Sequence, residues 1–325
     1  MKHIRGFLIS GLILMVIGCS LAVPPDTPKP QFLPSHTLTA AFPLPSPTFS
    51  PEPTFTPSPT PVPLVRFAVI GDYGTAGPGL EAVSALIDSW GVDFILTTGD
   101  NNYPLGAPET IDENIGQYFH NYIYPYSGKY GPGATENHFF PTLGNHDWMW
   151  MSAQPYLDYF TLPGNERYYS FQWDFIDFFA LDSDTAEPDG IGQSSIQAEW
   201  LQTKLAASTA VWKIIFFHHS PYSSGYNGPV TYMRWPFQEW GADLVLSGHD
   251  HDYERLQVND LLYIVQGLSG GQLYPLGEKV PESQFRFAGE YGALLAEATP
   301  DSISITFITI QGEVIDNYTL AHPSP

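Results

Sequence analysis

Apolar positions fall in short blocks along this chain, and the spacing within each block predicts its conformation. Residues 64–70 form a nearly continuous apolar run, Leu64-Val65-Arg66-Phe67-Ala68-Val69-Ile70, closed by Gly71-Asp72, which reads as a strand bounded by a turn. Leu80, Val83, Leu86, Ile87 and Trp90 then recur at helical spacing. A second strand is predicted over 92–98, ending in Gly99-Asp100. This strand–helix–strand opening favours a sheet with parallel strands and ligands at their carboxyl ends. A helix near 111–118 and a Gly- and Tyr-rich loop lead to a third strand, over 139–143, that runs into Gly144-Asn145-His146-Asp147.

The middle of the chain reads differently. Residues 168–173 and 177–182 have the character of neighbouring antiparallel strands, with 174–176 as their turn. Ser194 or Ser195 caps a predicted helix that carries Ile196, Trp200, Leu201 and Leu205 on one face. Apolar runs over 212–217 and 242–246 deliver His218-His219 and Ser247-Gly248-His249-Asp250-His251 to the loops that follow. Four further strand-like runs, over 261–266, 292–298, 302–310 and 314–320, make the C-terminal part mostly β, and no internal repeat of fixed period is present.

The first sixty or so residues do not share this patterning. Residues 1–18 combine a basic start (Lys2, Arg5) with an apolar stretch over 7–17, as in an export signal. Val16-Ile17-Gly18-Cys19 resembles the cleavage motif of a bacterial lipoprotein, which implies lipidation of Cys19 and anchoring to the membrane it faces outside the cytoplasm. Residues 19–63 are rich in Pro, Ser and Thr and read as an extended stalk, leaving 64–325 as the catalytic body. Cys19 is the only cysteine, so no disulfide forms within one chain and a packed core must supply the stability. With 34 acidic against 12 basic residues the net charge is −22, which argues against binding nucleic acid by counterion release. An anionic substrate would need local positive charge, and a bound metal is the candidate source.

Five strand ends present Asp72, Asp100 with Tyr103, Asn145 with His146, the His218-His219 pair, and His249 with His251. Each has an ordinary explanation alone, such as a helix cap at Asp72 or a turn at Asn145. Their recurrence at the same end of successive strands points instead to a shared centre for two cations. Asp100 has two oxygens with which to bridge a metal pair. Asp72 and Tyr103 add hard anionic oxygens, while Asn145 and neutral imidazoles suit a softer divalent ion. Two such ions clamp the oxygens of a phosphoryl group and lower the pKa of a bound water. His146 is placed to donate a proton or to bind phosphoryl oxygens, with Asp147 expected to orient it.

Gly71-Asp72-Tyr73-Gly74, Gly99-Asp100-Asn101-Asn102-Tyr103, Gly144-Asn145-His146-Asp147, the His218-containing strand end and Gly248-His249-Asp250-His251 together resemble the five motifs of the purple acid phosphatases, within the calcineurin-like metallophosphoesterases. The resemblance runs from about Val65 to Arg255 and is to the short, single-domain form. It implies a four-layer αββα sandwich of two mixed β-sheets. It further implies Fe(III) held by Asp72, Asp100, Tyr103 and His251, and a divalent ion (Fe, Zn or Mn) held by Asp100, Asn145, His249 and a histidine of the His218-His219 pair. The run from Trp212 resembles small plant members whose first histidine ligates, favouring His218. Ser220-Pro221 resembles other members in which the histidine directly before such a pair ligates, favouring His219. His146, His219 and Asn227 would then face the substrate. Asn227 stands where the family often has a second substrate histidine, and it cannot act as an acid. The implied reaction is hydrolysis of small phosphate monoesters outside the cytoplasmic membrane. Phosphodiester or nucleotide hydrolysis with the same metals, and a stalked binding protein with an idle site, are the alternative readings.

Overall fold

The computed structural model describes residues 62–322. The expected signal of 1–18, Cys19 and the stalk up to residue 61 lie outside the described residues. Thirteen strands follow in order: β1 (Val65–Ile70), β2 (Phe94–Thr97), β3 (Phe139–Pro141), β4 (Tyr169–Trp173), β5 (Ile176–Ala180), β6 (Trp212–His219), β7 (Leu244–Gly248), β8 (Tyr253–Val258), β9 (Leu261–Gln266), β10 (Ser283–Phe287), β11 (Gly292–Ala298), β12 (Ser302–Thr309) and β13 (Val314–Ala321). They form two mixed sheets, ordered β13-β12-β11-β1-β2-β3 and β10-β8-β9-β7-β6-β5-β4. In the first, β1, β2 and β3 are parallel and β11 to β13 antiparallel. In the second, β5, β6, β7 and β9 are parallel.

The period-two alternation of strand side chains separates two cores. Ile214, Phe216, Leu244, Leu246, Leu262 and Ile264 face the first sheet, whereas Ile215, Phe217, Val245, Tyr263 and Val265 face the opposite way. Between the sheets, Phe67 and Phe94 meet Phe178 edge-on at 5.4 and 5.3 Å between ring centroids. The helix Pro78–Trp90 buries Leu80, Val83 and Ile87 in the core shared with the first sheet. The helix Ile196–Ala207 buries Ala198, Leu201 and Leu205 in the second core. The result is helix, sheet, sheet, helix, as the motif resemblance implied.

Three details depart from the sequence expectation. Ile196, placed on the buried helix face, is 62 % exposed. It is the first residue after the cap Ser195, whose hydroxyl accepts from the Ala198 amide, and the turn packs through Gln197 and Ala198 instead. The helix expected near 111–118 runs over Pro108–Phe119 with a π-helical turn at Asp112–Gly116. Strands β8 and β10 were not expected. β10 is a five-residue strand at a sheet edge with a register shift against β8, and it offers only Phe285 and Phe287 as apolar positions.

Candidate metal centre

Every strand that carries a candidate residue ends on the same side of its sheet. β1, β2 and β3 deliver Asp72, Asp100 and Asn145, and β6 and β7 deliver His218 and His249. Three of these residues take the left-handed backbone that non-glycine side chains rarely adopt: Asp72 (φ 53°), Asp100 (φ 54°) and His249 (φ 71°). Local hydrogen bonds hold them there. The Asp72 amide donates to the Gly99 carbonyl at 3.0 Å, the His249 amide to Asp72 Oδ2 at 2.8 Å, and the His146 amide to Asp100 Oδ1 at 2.9 Å. Strain of this kind persists only where surrounding contacts over-determine it, and it concentrates at functional sites.

With Asp100 Oδ1 engaged by a backbone amide, Asp100 Oδ2 is left as the hub. It lies 3.0 Å from the Tyr103 hydroxyl and 3.4 Å from His218 Nε2. On one side, the Tyr103 hydroxyl is 3.3 Å from Asp72 Oδ1 and 3.1 Å from His251 Nε2, which is itself 3.3 Å from Asp72 Oδ1. On the other, His218 Nε2 is 3.0 Å from Asn145 Oδ1 and 3.1 Å from His249 Nδ1. All seven expected ligand side chains therefore converge on two adjoining clusters that share one carboxylate oxygen.

Imidazole tautomers are fixed from behind. His218 Nδ1 donates to the Thr98 carbonyl at 2.8 Å, and His251 Nδ1 bonds the Gln272 carbonyl, so the Nε2 atoms of both rings face the clusters. Close packing maintains this. Gly99 has φ +93°, and a Cβ there would stand 2.7 Å from His218 Nδ1. At Gly144 a Cβ would stand 2.2 Å from Asp100 Oδ1.

The donor set fits cations. Burial raises the Asp72 carboxyl above its ordinary 3.8, with His251 acting against that shift and Asp100 adding to it. Burial, then Asp100 and Asp72, hold the Tyr103 phenol well above 10.0. Two carboxylates and a phenol gathered away from water strongly disfavour joint ionisation unless positive charge is present. Burial and the neighbouring His249 keep His218 well below 6.5, hence neutral with a lone pair on Nε2.

The remaining residues are placed as follows. His146 lines the cavity, its Nδ1 donating to the Pro104 carbonyl at 2.6 Å and its Nε2 4.0 Å from Asp100 Oδ2. Asp147 does not orient that ring. Its buried carboxylate accepts from the Gly144 amide at 2.9 Å and from Asn101 Nδ2 at 2.8 Å, which closes the loop on itself. Burial and the charge of Asp100 push it up to about 7. His219 Nδ1 is 3.0 Å from the Ser183 hydroxyl, and its ring stands beside His249, 4.5 Å between centroids. It is not among the described residues that line the cavity, although its neighbour His249 is. Asn227 does line it, with its amide donating to the His249 carbonyl at 2.8 Å. The cavity has a volume of about 610 Å³ and is also lined by Thr75, Asp100, Tyr103, Asn145, His249, His251, Tyr274 and Tyr291. Thr98, Pro104 and Gln272 escaped the sequence reading because they act through carbonyl groups, which leave no side-chain signature.

Comparison with known proteins agrees with this geometry. The calcineurin-like phosphoesterase family profile matches residues 65–253. Purple acid phosphatase 17 of Arabidopsis thaliana is 23% identical over 296 residues, covering 78% of this chain and 83% of the relative. Tartrate-resistant acid phosphatase type 5 of Mus musculus is 25% identical over 300 residues, covering 78% and 89%. The fold matches that of the purple acid phosphatase PPD1 from yellow lupin (Lupinus luteus) seeds with a TM-score of 0.66 at 19% identity, over 82% of this chain and 55% of that one. Among the described residues no helix is long and apolar enough to cross a membrane. Matched over more than half its length, the chain belongs to the calcineurin-like phosphoesterase family and is a phosphoester hydrolase that resembles the purple acid phosphatases.

Proposed function

We propose that this protein is an acid phosphatase that hydrolyses small phosphate monoesters at a pair of metal ions. The observation that carries the reading is the single oxygen, Asp100 Oδ2, placed between an anionic cluster and an imidazole-rich one. Asp72, Asp100, Tyr103 and His251 would hold Fe(III). Asp100, Asn145, His218 and His249 would hold a divalent iron, zinc or manganese. Between the two neighbouring histidines, His218 is favoured because its Nε2 reaches both Asn145 and Asp100. When bound, the two cations supply Lewis acidity to the phosphoryl group and to a water.

The chain's own residues do the rest. His146 has Nδ1–H committed to Pro104, so it donates a proton to the leaving oxygen only from Nε2, as an imidazolium. One N–H of Asn227 is used on His249, which leaves the other for a phosphoryl oxygen. Asp147 serves the reaction by holding the Gly144–His146 turn that presents Asn145. The homologous acid phosphatases and the donor set support this reading over an idle site. We place the catalytic body, residues 64–325, outside the cytoplasmic membrane on the stalk of 19–63, after removal of 1–18 and lipidation of Cys19.

Purified metal-loaded protein assayed on 4-nitrophenyl phosphate and bis(4-nitrophenyl) phosphate decides the substrate class. Turnover of the diester with none of the monoester would refute the monoester reading. The anchor is tested separately, since a Cys19→Ser chain should leave the membrane fraction.

A further inference from the structure

None of the described residues lining the cavity is a lysine or an arginine, and the whole chain has a net charge of −22. Beyond the cations proposed above and His146, which is committed to the leaving oxygen, the wall offers no counter-charge for a second anionic group on the substrate. What it offers instead is aromatic surface beside His251. The Tyr274 ring lines the cavity, 4.6 Å from the His251 ring between centroids. Tyr226 lies nearly parallel to Tyr274, 5.1 Å away at an interplanar angle of 21°, and is 64 % exposed.

Both rings start from anchored backbone. Tyr226 precedes Asn227, whose amide N donates to Asp250 Oδ1 at 2.6 Å and whose side chain donates to the His249 carbonyl. Tyr274 follows two residues after Gln272, whose carbonyl holds His251 Nδ1. The loops that fix His249 and His251 thus also fix the stack, so the rings are organised for a ligand before it arrives.

We infer that Tyr226 and Tyr274 form a subsite for the alcohol portion of the ester, and that this portion carries an aromatic ring and no second anionic group, as in a nucleoside monophosphate. The inference rests on the monoester hydrolysis proposed above. A base laid against the exposed tyrosine face gains stacking energy whatever its identity, because every base presents a π-face. A polyphosphorylated substrate gains nothing from the wall for its additional charges.

Adenosine 5′-monophosphate and ribose 5-phosphate test this on the metal-loaded chain, because both release a primary alkoxide from the same phosphoryl group and differ in the base. We expect kcat/KM to favour the nucleotide by about tenfold. Tyr226→Ala should bring the ratio to within about twofold, and Tyr226→Phe should preserve it. Adenosine 3′,5′-bisphosphate should release phosphate more slowly than the monophosphate. Equal values for nucleotide and sugar phosphate, or a nucleotide preference that survives Tyr226→Ala, overturn the subsite. Faster release from the bisphosphate overturns the charge requirement. Turnover of neither monoester removes the monoester reading and the subsite with it.

Discussion

The hydroxyl of Tyr103 lies 3.0 Å from Oδ2 of Asp100, on the boundary between the two clusters. Burial, and after it the charges of Asp100 and Asp72, oppose ionisation of that phenol, so a phenolate forms there only against a cation. Oxidised, iron-loaded protein should therefore show a visible phenolate-to-iron absorption band. Tyr103→Phe should abolish the band while metal analysis still finds the second ion. A band of unchanged intensity in the variant would assign it to another residue.

Asp100 contributes oppositely to activity and to the metal-free fold. As the proposed shared ligand, it should be worth more than the roughly 10–100-fold that follows loss of a hydrogen bond supporting a ligand. Asp100→Asn should exceed that loss in kcat/KM. In the metal-free protein the same change removes one acid from a buried group that includes Asp72 and Tyr103, and keeps an acceptor for the His146 amide. Calorimetry in chelator should find a melting temperature no lower than that of the parent chain. A marked drop would show that the carboxylate is needed to build the site and not only to fill it.

His146 is assigned to the leaving oxygen, and proton donation leaves a kinetic signature. Loss of a general acid costs about 10²–10⁴-fold, and less where the departing group is already stable as an anion. His146→Ala should therefore depress hydrolysis of an alkyl phosphate far more than that of 4-nitrophenyl phosphate. Equal depression of both would make His146 a phosphoryl-binding residue.

Gly99 illustrates a part of the site that no motif states. Its φ of +93° strains any side chain, and a Cβ would meet His218 Nδ1 at 2.7 Å, where the ring donates to Thr98. Gly99→Ala should cost about 1 kcal/mol or more of stability from the backbone alone. It should also lower affinity for the divalent metal by turning His218 Nε2 off Asn145. Denaturant unfolding and metal titration would separate the two effects.

The seven side chains that the fold gathers were legible in sequence as candidates because each follows an apolar strand and a glycine or a strand end, a local signal. The sheet order was not. β1 takes β11 as its antiparallel neighbour, pairing Phe67 with Ala296 across most of the catalytic body, and nothing near either residue announces that partner. The same limit explains Asp147. Its position beside His146 suggested an orienting contact, but the helical turn at Asn145–Trp148 sends the two side chains apart, Asp147 toward Asn101 and His146 toward Pro104. The Tyr226–Tyr274 stack joins two loops without periodicity, so it emerges only in three dimensions.

The acid phosphatase proposed above must also stay folded in acid, and Asp112 bears on this away from the proposed metal centre. Its carboxylate accepts from the Tyr126 hydroxyl at 2.6 Å, the Tyr159 hydroxyl at 2.9 Å and the Lys129 amide at 3.0 Å. Burial alone would raise its pKa, but the Tyr126, Lys129 and Tyr159 bonds outweigh it and hold the group below 3.8. A carboxyl depressed in the folded state contributes stability above its unfolded pKa, and the contribution is lost as pH falls through the lower folded value. Burial and the bond to Asp112 push Tyr126 the other way, from 10.0 up to about 12. A phenol raised in the folded state contributes below 10 and loses that contribution as pH climbs toward 12. The cluster therefore favours the fold across the whole interval between these limits. Tyr126→Phe should destabilise the protein at pH 5 to 8, with the difference from the parent shrinking below about pH 4, where Asp112 takes up its proton in the unfolded chain. Urea midpoints measured across that range test the sign, since a deficit that widens on acidification would mean that Asp112 is not held in its ionised form by Tyr126.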